Sequence, residues 1–209
     1  MGFSLDVFSD NPYLTNCWML AREGGEEALV IDPGFEAERV HGILSKAGLK
    51  AVAALATHGH GDHVGAVMAF CGNDIPLYIH AEDELALSDA AAWGAGYGTY
   101  SPGRPPLTRT VKDGDTVEAA GFALEVVHTP GHTPGSVCYR VDDSVFSGDL
   151  VFAGSIGRYD FPNSSEEAMF ASLRRFLELP DDVRVLPGHM ATTTVGRERR
   201  SNPFLLQLV

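Results

Sequence analysis

The sequence predicts an α+β fold in which two sheets pack face to face with helices on their outer sides. Strand-like and helical runs succeed each other as strands, helix, strands, helix, and that order repeats once, which suggests two similar halves. No charge block or linker composition divides the 209 residues, so residues 1–209 read as one domain with a substantial core. A single low-order segment, residues 93–107 ("WGAGYGTYSPGRPPL"), is dense in Gly, Pro and aromatics and reads as a surface loop.

Each element has a local reason. "FSLDVF", "TNCWML" and "EALVID" have strand character, and "REGGE" between the latter two is a turn signal. "FEAERVHGILSKAG" places Val40, Ile43, Leu44 and Ala47 at helical spacing and stops at Gly48. "KAVAALA" is a buried strand, "HVGAVMAFCG" a short helix, "IPLYIH" a strand and "AEDELAL" a helical turn or two. In the second half "FALEVVH", "GSVCYRV" and "SVFSGD" are strands, with Asp142 and Asp143 marking a hairpin turn. "SSEEAMFASLRRFLEL" is an amphipathic helix with Ser164 or Ser165 as N-cap and acidic residues in its first turn. "VRVLPGH" is the last strand.

Composition excludes several function classes. The 15 basic and 28 acidic residues give a formal charge of −13, which repels phosphate backbones and argues against nucleic-acid partners. No apolar run approaches the roughly 18 residues that span a bilayer. "MGFSLDVFSDNPY" lacks the basic-then-apolar plan of a secretory signal. Cys17, Cys71 and Cys138 are sparse, odd in number and set in apolar contexts, as small buried hydrophobes in a reducing compartment would be. These readings point to a cytoplasmic protein acting on a small molecule, without membrane or nucleic-acid partners and with self-association left open.

The densest chemistry lies in "ATHGHGDHVGA", residues 56–66, which puts three histidines and an aspartate into six consecutive positions. His58 and His60 are two apart, so an extended backbone points both to one side. Asp62 and His63 fall where a helix begins. Neutral imidazoles with a carboxylate are the ligand set of zinc and related first-row metals. Four such side chains in six residues are too crowded for one ion. Further candidates stand at strand ends: His128 and His132 in "VVHTPGHTPGS", Asp149 in "VFSGDLVF" and His189 in "VLPGHM". Together they predict one metal site.

"THGHGDHVGA" matches the His-x-His-x-Asp-His signature of the metallo-β-lactamase superfamily, and "VIDPG", "HTPGHTPGS", "FSGDLVF" and "LPGH" resemble its remaining motifs in the same order. The resemblance implies a four-layer αββα sandwich with two divalent metal ions at one edge of the sheets. It implies that His58, His60 and His132 hold the first ion, that Asp62, His63 and His189 hold the second, and that Asp149 bridges them. Asp62 would also orient a hydroxide held between the ions. Asp32 resembles a residue that steadies the histidine loop from behind. His128 matches a position that is not a ligand in the family and reads as loop support; His80 and His41 are left as a strand-end and a helix-surface histidine. Zinc is the first expectation, with iron or manganese also accepted by these ligands.

A hydroxide activated by two ions needs no serine or cysteine nucleophile. A thiolate, with a thiol pKa of about 8.5, departs nearly unaided, so a thioester suits such a site. Within the superfamily the chain most resembles the short glyoxalase II-like (hydroxyacylglutathione hydrolase-like) enzymes, whose full-length relatives cleave S-D-lactoylglutathione. In "AGSIGRYDFP" Arg158 takes the place of a family lysine that pairs with the glycyl carboxylate of glutathione, with Tyr159 beside it as a second substrate candidate. Asp160 stands where the family carries its tyrosine, and the chain stops soon after "GRERRSNPFL", short of the family's C-terminal helical domain. Arg197, Arg199 and Arg200 read as a solvated helix end. The alternative is the persulfide dioxygenase branch, which holds one iron through the counterparts of His58, His132 and Asp149 and shares a "GR-x-D" segment. A lactone or another (thio)ester is the second alternative. Class B β-lactamases lack the bridging aspartate that Asp149 provides and fit less well.

Overall fold

Strand β1 (Phe3–Phe8) is half-exposed and lies at a sheet edge, whereas β2 (Cys17–Arg22) and β3 (Glu27–Ile31) are apolar on both faces. Trp18, Leu20, Leu29 and Ile31 enter one core, while Cys17, Met19, Ala28 and Val30 enter another. Strands covered on both sides belong in a middle layer. The computed structural model, which describes residues 2–94 and 100–208, puts them there.

Helix α1 (Ala37–Lys46) follows, then β4 (Lys50–Leu55), the short helices α2 (Gly61–Val64) and α3 (Val67–Cys71), and β5 (Leu77–His80). A 3₁₀ stretch (Ala81–Leu87) and helix α4 (Ala90–Trp93) lead to β6 (Thr108–Val111), which completes a sheet of order β1-β2-β3-β4-β5-β6. The first three strands pair antiparallel and β3 to β6 pair parallel. Six further strands follow: β7 (Thr116–Ala119), β8 (Phe122–His128), β9 (Val137–Val141), β10 (Ser144–Gly148), and a small hairpin of β11 (Val151–Phe152) with β12 (Ser155–Ile156). Helix α5 (Glu166–Phe176), β13 (Arg184–Pro187), β14 (Thr193–Thr194) and helix α6 (Val195–Ser201) close the chain, with a last 3₁₀ turn at Leu205–Gln207. The second sheet has the order β14-β13-β10-β9-β8-β7.

Tyr139, Phe146, Leu124 and Leu186 of the second sheet meet Trp18, Leu20 and Leu55 of the first, so the central core lies between the sheets. Val40, Leu44 and Phe70 cover the outer face of the first sheet, and Met169, Leu173, Phe176 and Val195 cover that of the second. The four layers are those of the predicted αββα sandwich. Helix α5 shows why. Ser165 caps it, accepting from Ala168 N–H at 3.2 Å, and Met169, Leu173 and Phe176 fall on one face. Burying each such side chain stabilises by roughly 1.5–3 kcal/mol.

The structure departs from the sequence reading at several points. The helix expected over 63–72 is two helices, because Ala66 N–H donates to Gly34 O at 2.6 Å instead of continuing the ladder. Of the predicted 93–107 loop, Trp93 closes α4, residues 95–99 lie outside the described residues, and 100–107 carry only a turn. Arg199 is not simply solvated. It donates to Leu177 O and Leu179 O at 2.6 and 2.8 Å and pairs with Asp181, docking α6 onto the end of α5. The three cysteines are free and buried, and burial pushes the thiols of Cys71 and Cys138 up to about 12 and about 11. Among the described residues, no helix is long and apolar enough to cross a membrane.

Candidate metal centre

Strands β3 and β4 run parallel in one sheet, and β10 and β13 run parallel in the other. Their C-terminal ends meet at one edge of the sandwich, and each delivers polar side chains there. Asp32 follows β3, His58 to His63 follow β4, Asp149 follows β10 and His189 follows β13, while His132 sits between β8 and β9.

The structure brings seven of the sequence candidates together. Ligand atoms of His58, His60 and His132 lie within 4.8 Å of one another, as do those of Asp62, His63 and His189. A third group, His58, His63 and Asp149, joins the two. His60 Nδ1 faces His132 Nε2 at 2.9 Å. Asp149 reaches both groups: Oδ1 lies 3.4 Å from His63 Nε2, and Oδ2 lies 3.4 Å from His132 Nε2 and 3.6 Å from His189 Nε2. Asp62 Oδ2 is 3.3 Å from His189 Nε2 and 3.5 Å from His63 Nε2.

The donor set fits divalent metal ions. Nε2 of His58, His60 and His63 and Oδ1 of Asp149 are buried without a hydrogen-bond partner among the described residues. Leaving a buried polar atom unpaired costs about 1–3 kcal/mol. Several in one cluster of imidazoles and carboxylates are what a shared cation would satisfy.

The Nδ1 atoms of His58, His63 and His132 are held from behind, which turns Nε2 toward the cluster, whereas His60 turns Nδ1 inward to His132. His63 Nδ1–H donates to Asp32 Oδ2 at 2.9 Å, and His132 Nδ1–H donates to the Arg158 carbonyl at 2.7 Å. Thr57 Oγ1, 3.1 Å from His58 Nδ1, itself donates to Asp32 Oδ2 at 2.7 Å. Asp32 Oδ1 accepts Thr57 N–H at 2.7 Å. Gly148, at φ +48°, permits β10 to approach this loop, since a Cβ there would lie 2.6 Å from Thr57 Cβ.

Sequence reasoning passed over Thr57 and also Asp83. Asp83 is fully buried and accepts from Gly59 N–H, Gly135 N–H and Thr133 Oγ1 at 2.7–2.8 Å, tying the loop of His58 and His60 to that of His132. Burial pushes its carboxyl up to about 6 despite these donors. Nothing in "AEDE" separates Asp83 from its acidic neighbours.

Charge divides the centre into two halves. Burial, reinforced by neighbouring imidazoles, holds His58 and His60 well below the usual histidine range, and burial lowers His132 too. At His63 burial also opposes protonation, but Asp62, Asp32 and Asp149 outweigh it and raise the imidazole to about 10. His189 is raised against its burial by the Asp62 hydrogen bond. Asp62, though burial disfavours its charge, is held well below the carboxylate range by His63 and His189. The first group is biased toward neutral imidazoles, which suits a cation; in the second the carboxylates favour the charged imidazole, above all at His63, so a cation would compete with a proton there.

The remaining histidines are placed as follows. His128 Nε2–H donates to Pro134 O at 2.8 Å, supporting the loop of His132, and its ring stacks on His80 at 4.1 Å. His41 is not a free helix-surface residue: it stacks on Phe70 at 4.4 Å and donates to Phe70 O.

A cleft of about 460 Å³ opens over the centre. Arg158 lines it, but its guanidinium forms a two-pronged pair with Asp160 at 2.8 and 2.9 Å and lies over the Phe161 ring. Tyr159 does not line it, a correction to the sequence reading. Its ring is drawn into the apolar cluster under α5, 5.8 Å from Phe170. Phe161 faces the cleft instead, 5.0 Å from the His60 ring.

Residues 10–189 match the metallo-beta-lactamase superfamily. The chain belongs to that superfamily. Similar proteins include the probable metallo-hydrolase YqgX of Bacillus subtilis (strain 168), 36% identical and covering 93% of each chain. Hydroxyacylglutathione hydrolase GloC of Haemophilus influenzae is 34% identical, over 97% of this chain and 98% of that one. Among solved structures, BLEG-1 B3 metallo-beta-lactamase superposes with a TM-score of 0.88 at 35% identity, covering 97% of this chain and 99% of that one. TTHA1623 in a di-iron-bound form superposes with a TM-score of 0.80 at 40% identity, covering 96% and 100%. As a member of the metallo-beta-lactamase superfamily the chain is a metallo-hydrolase, with His/Asp clusters able to hold metal.

Proposed function

We propose that the chain hydrolyses a thioester with two divalent metal ions, and that its substrate is a glutathione thioester such as S-D-lactoylglutathione. The observation that carries this reading is Asp149, one carboxylate that reaches both ligand groups beside an open cleft. In this reading His58, His60 and His132 hold one ion, Asp62, His63 and His189 the other, and Asp149 both. Ligand preference favours zinc. The likeness to TTHA1623, described in a di-iron-bound form, supports iron.

Such ions, when bound, lower the pKa of water toward about 7 and polarise a carbonyl. The protein's own groups do the rest. Asp32, Thr57 and the Arg158 carbonyl fix the imidazoles. Asp62, which would hold the second ion, also receives Thr15 Oγ1–H at 3.0 Å, so its carboxylate is held in place to accept a hydrogen bond from the attacking water and orient it. Trp93 and Phe161 pack on His60 and keep water from its outer side. As the water oxygen bonds to the acyl carbon and gives up its protons to solvent, the C–S bond breaks and its electron pair leaves on sulfur as a thiolate, whose thiol pKa of about 8.5 makes an acid unnecessary.

Glutathione draws support from the likeness to GloC and from Arg158 in the cleft wall. Because Asp160 already pairs with that guanidinium, a glycyl carboxylate has to share it. The test offers one metal-loaded preparation three substrates: S-D-lactoylglutathione, glutathione persulfide with oxygen uptake recorded, and a chromogenic β-lactam, which the likeness to BLEG-1 brings back into consideration. Thioester cleavage with about two metals per chain is expected. Oxygen uptake without cleavage, on a single iron, would replace this reading by the dioxygenase; cleavage of the β-lactam alone would replace it by a lactamase.

A further inference from the structure

Tyr13, Phe35 and Tyr100 form an aromatic row along the cleft that the proposed chemistry does not use. Ring centroids are 5.7 Å apart between Tyr13 and Phe35 and 5.9 Å apart between Phe35 and Tyr100. The three come from the β1–β2 loop, the β3–α1 loop and the segment before β6, so no local pattern groups them. All three line the cleft beside Gly61 and Asp62. The row is packed directly on the turn that carries the ligands. A Cβ on Gly61 would lie 3.7 Å from Phe35 Cζ and 3.6 Å from Tyr100 Cβ, and a Cβ on Gly65 would run into the Phe35 ring.

Despite this seating the rings face solvent: Tyr13 is 59% exposed, Tyr100 49% and Phe35 36%. The apolar surface continues beyond His189. Leu14 and Met190, 66% and 56% exposed, border a second hollow that shares Tyr13, Phe152, His189 and Met190 with the cleft. A contiguous apolar surface rimmed by polar groups marks a binding groove. Its position beside the proposed metal ligands says that what binds there is joined to the reacting carbonyl.

We propose that this row is the acyl subsite, and that the preferred substrate carries an apolar acyl chain longer than lactoyl. The inference rests on the thioesterase reading. There the thiol half is assigned to the Arg158 segment, which leaves the aromatic row to the acyl half. Lactoyl, with one methyl and a hydroxyl, has little to bury against three rings. An alkyl chain buries a methylene at a time, each worth up to about fourfold in kcat/KM.

The experiment measures kcat/KM for glutathione thioesters of acetate, lactate, butanoate, hexanoate and octanoate, repeated with N-acetylcysteamine as the thiol. The expected result is a rise of about two- to fourfold per methylene with either thiol, lactoyl falling near acetyl. Phe35→Ala and Tyr13→Ala should each cut the hexanoyl-to-acetyl ratio several-fold, whereas Leu206→Ala, exposed and away from the cleft, should leave the series as it is. Tyr13 is exposed enough that its variant keeps the test in force should Phe35→Ala not fold. Hydrolysis with a flat or falling series overturns the acyl subsite and spares the thioesterase. A rising series unchanged in both aromatic variants overturns the assignment to this row. Hydrolysis of no thioester at all overturns both.

Discussion

Asp32→Asn is the most informative single substitution, because it changes one acceptor and little else. Asn matches Asp in size and tolerates the positive φ of +53° that Asp32 adopts. Its amide oxygen can still receive Thr57 N–H. The NH2 group then stands where Oδ2 accepts both Thr57 Oγ1–H and His63 Nδ1–H. Two donors now face each other in a buried site. Metal binding at Nε2, the atom turned toward Asp62 and Asp149, leaves His63 its Nδ1 proton, and in the variant that proton has no acceptor. Loss of such a supporting partner typically lowers metal affinity 10- to 100-fold, about 1.4–2.7 kcal/mol. The metal-free protein should also lose roughly 1.5–3 kcal/mol, the worth of a hydrogen bond to a charged group. Chelator competition reads the first quantity and urea unfolding of the metal-free protein the second. Metal affinity within twofold of wild type, in a protein that folds normally, would refute the argument that Asp32 sets the His63 tautomer.

Other expectations follow from the same geometry. Arg158→Ala should raise KM for a glutathione thioester more than it lowers kcat, since it removes binding common to ground and transition states; steady-state kinetics decide it, and an unchanged KM removes Arg158 from substrate binding. Ser165→Ala removes the cap of α5 and should cost about 1 kcal/mol, seen as a fall in Tm of about 2–4 °C. The metal-free protein should lose stability in alkali. His63 is raised to about 10, above its ordinary value, so its contribution is complete below about pH 6.5 and disappears as pH rises through about 10. Denaturant midpoints measured across that range should fall, and a flat profile would contradict the carboxylate cage around His63.

The sequence by itself determined the longer elements and which side chains gather at the candidate site, because both are written in short-range patterns. Imidazoles at His58, His60 and His63 are neighbours along one turn, Asp149 and His189 stand just past the ends of apolar strands, and His132 stands in the Pro-Gly loop after β8. Period-two and period-3.6 spacing depends only on residues a few positions apart, so the longer strands and α5, with Ser164 or Ser165 at its start, could be read directly, whereas β6, β7, β11, β12 and β14 are too short to show a period. Tertiary structure alone decided what depends on contacts between distant segments. The helix breaks at Ala66 because a carbonyl of the β3–α1 loop, Gly34 O, captures its N–H. Asp83 rather than Glu82 or Glu84 braces the ligand loops, because only its carboxylate turns inward to Gly59 and Gly135. Tyr159 is claimed by the α5 cluster, which leaves Phe161 to face the cleft. Tyr13, Phe35 and Tyr100 are scattered along the chain and meet only when the loops around Gly61 and Gly65 close on one another. Local spacing decides which backbone forms and which side chains share a face. The partner each side chain finds across the sandwich is decided by close packing of segments that the chain itself holds far apart.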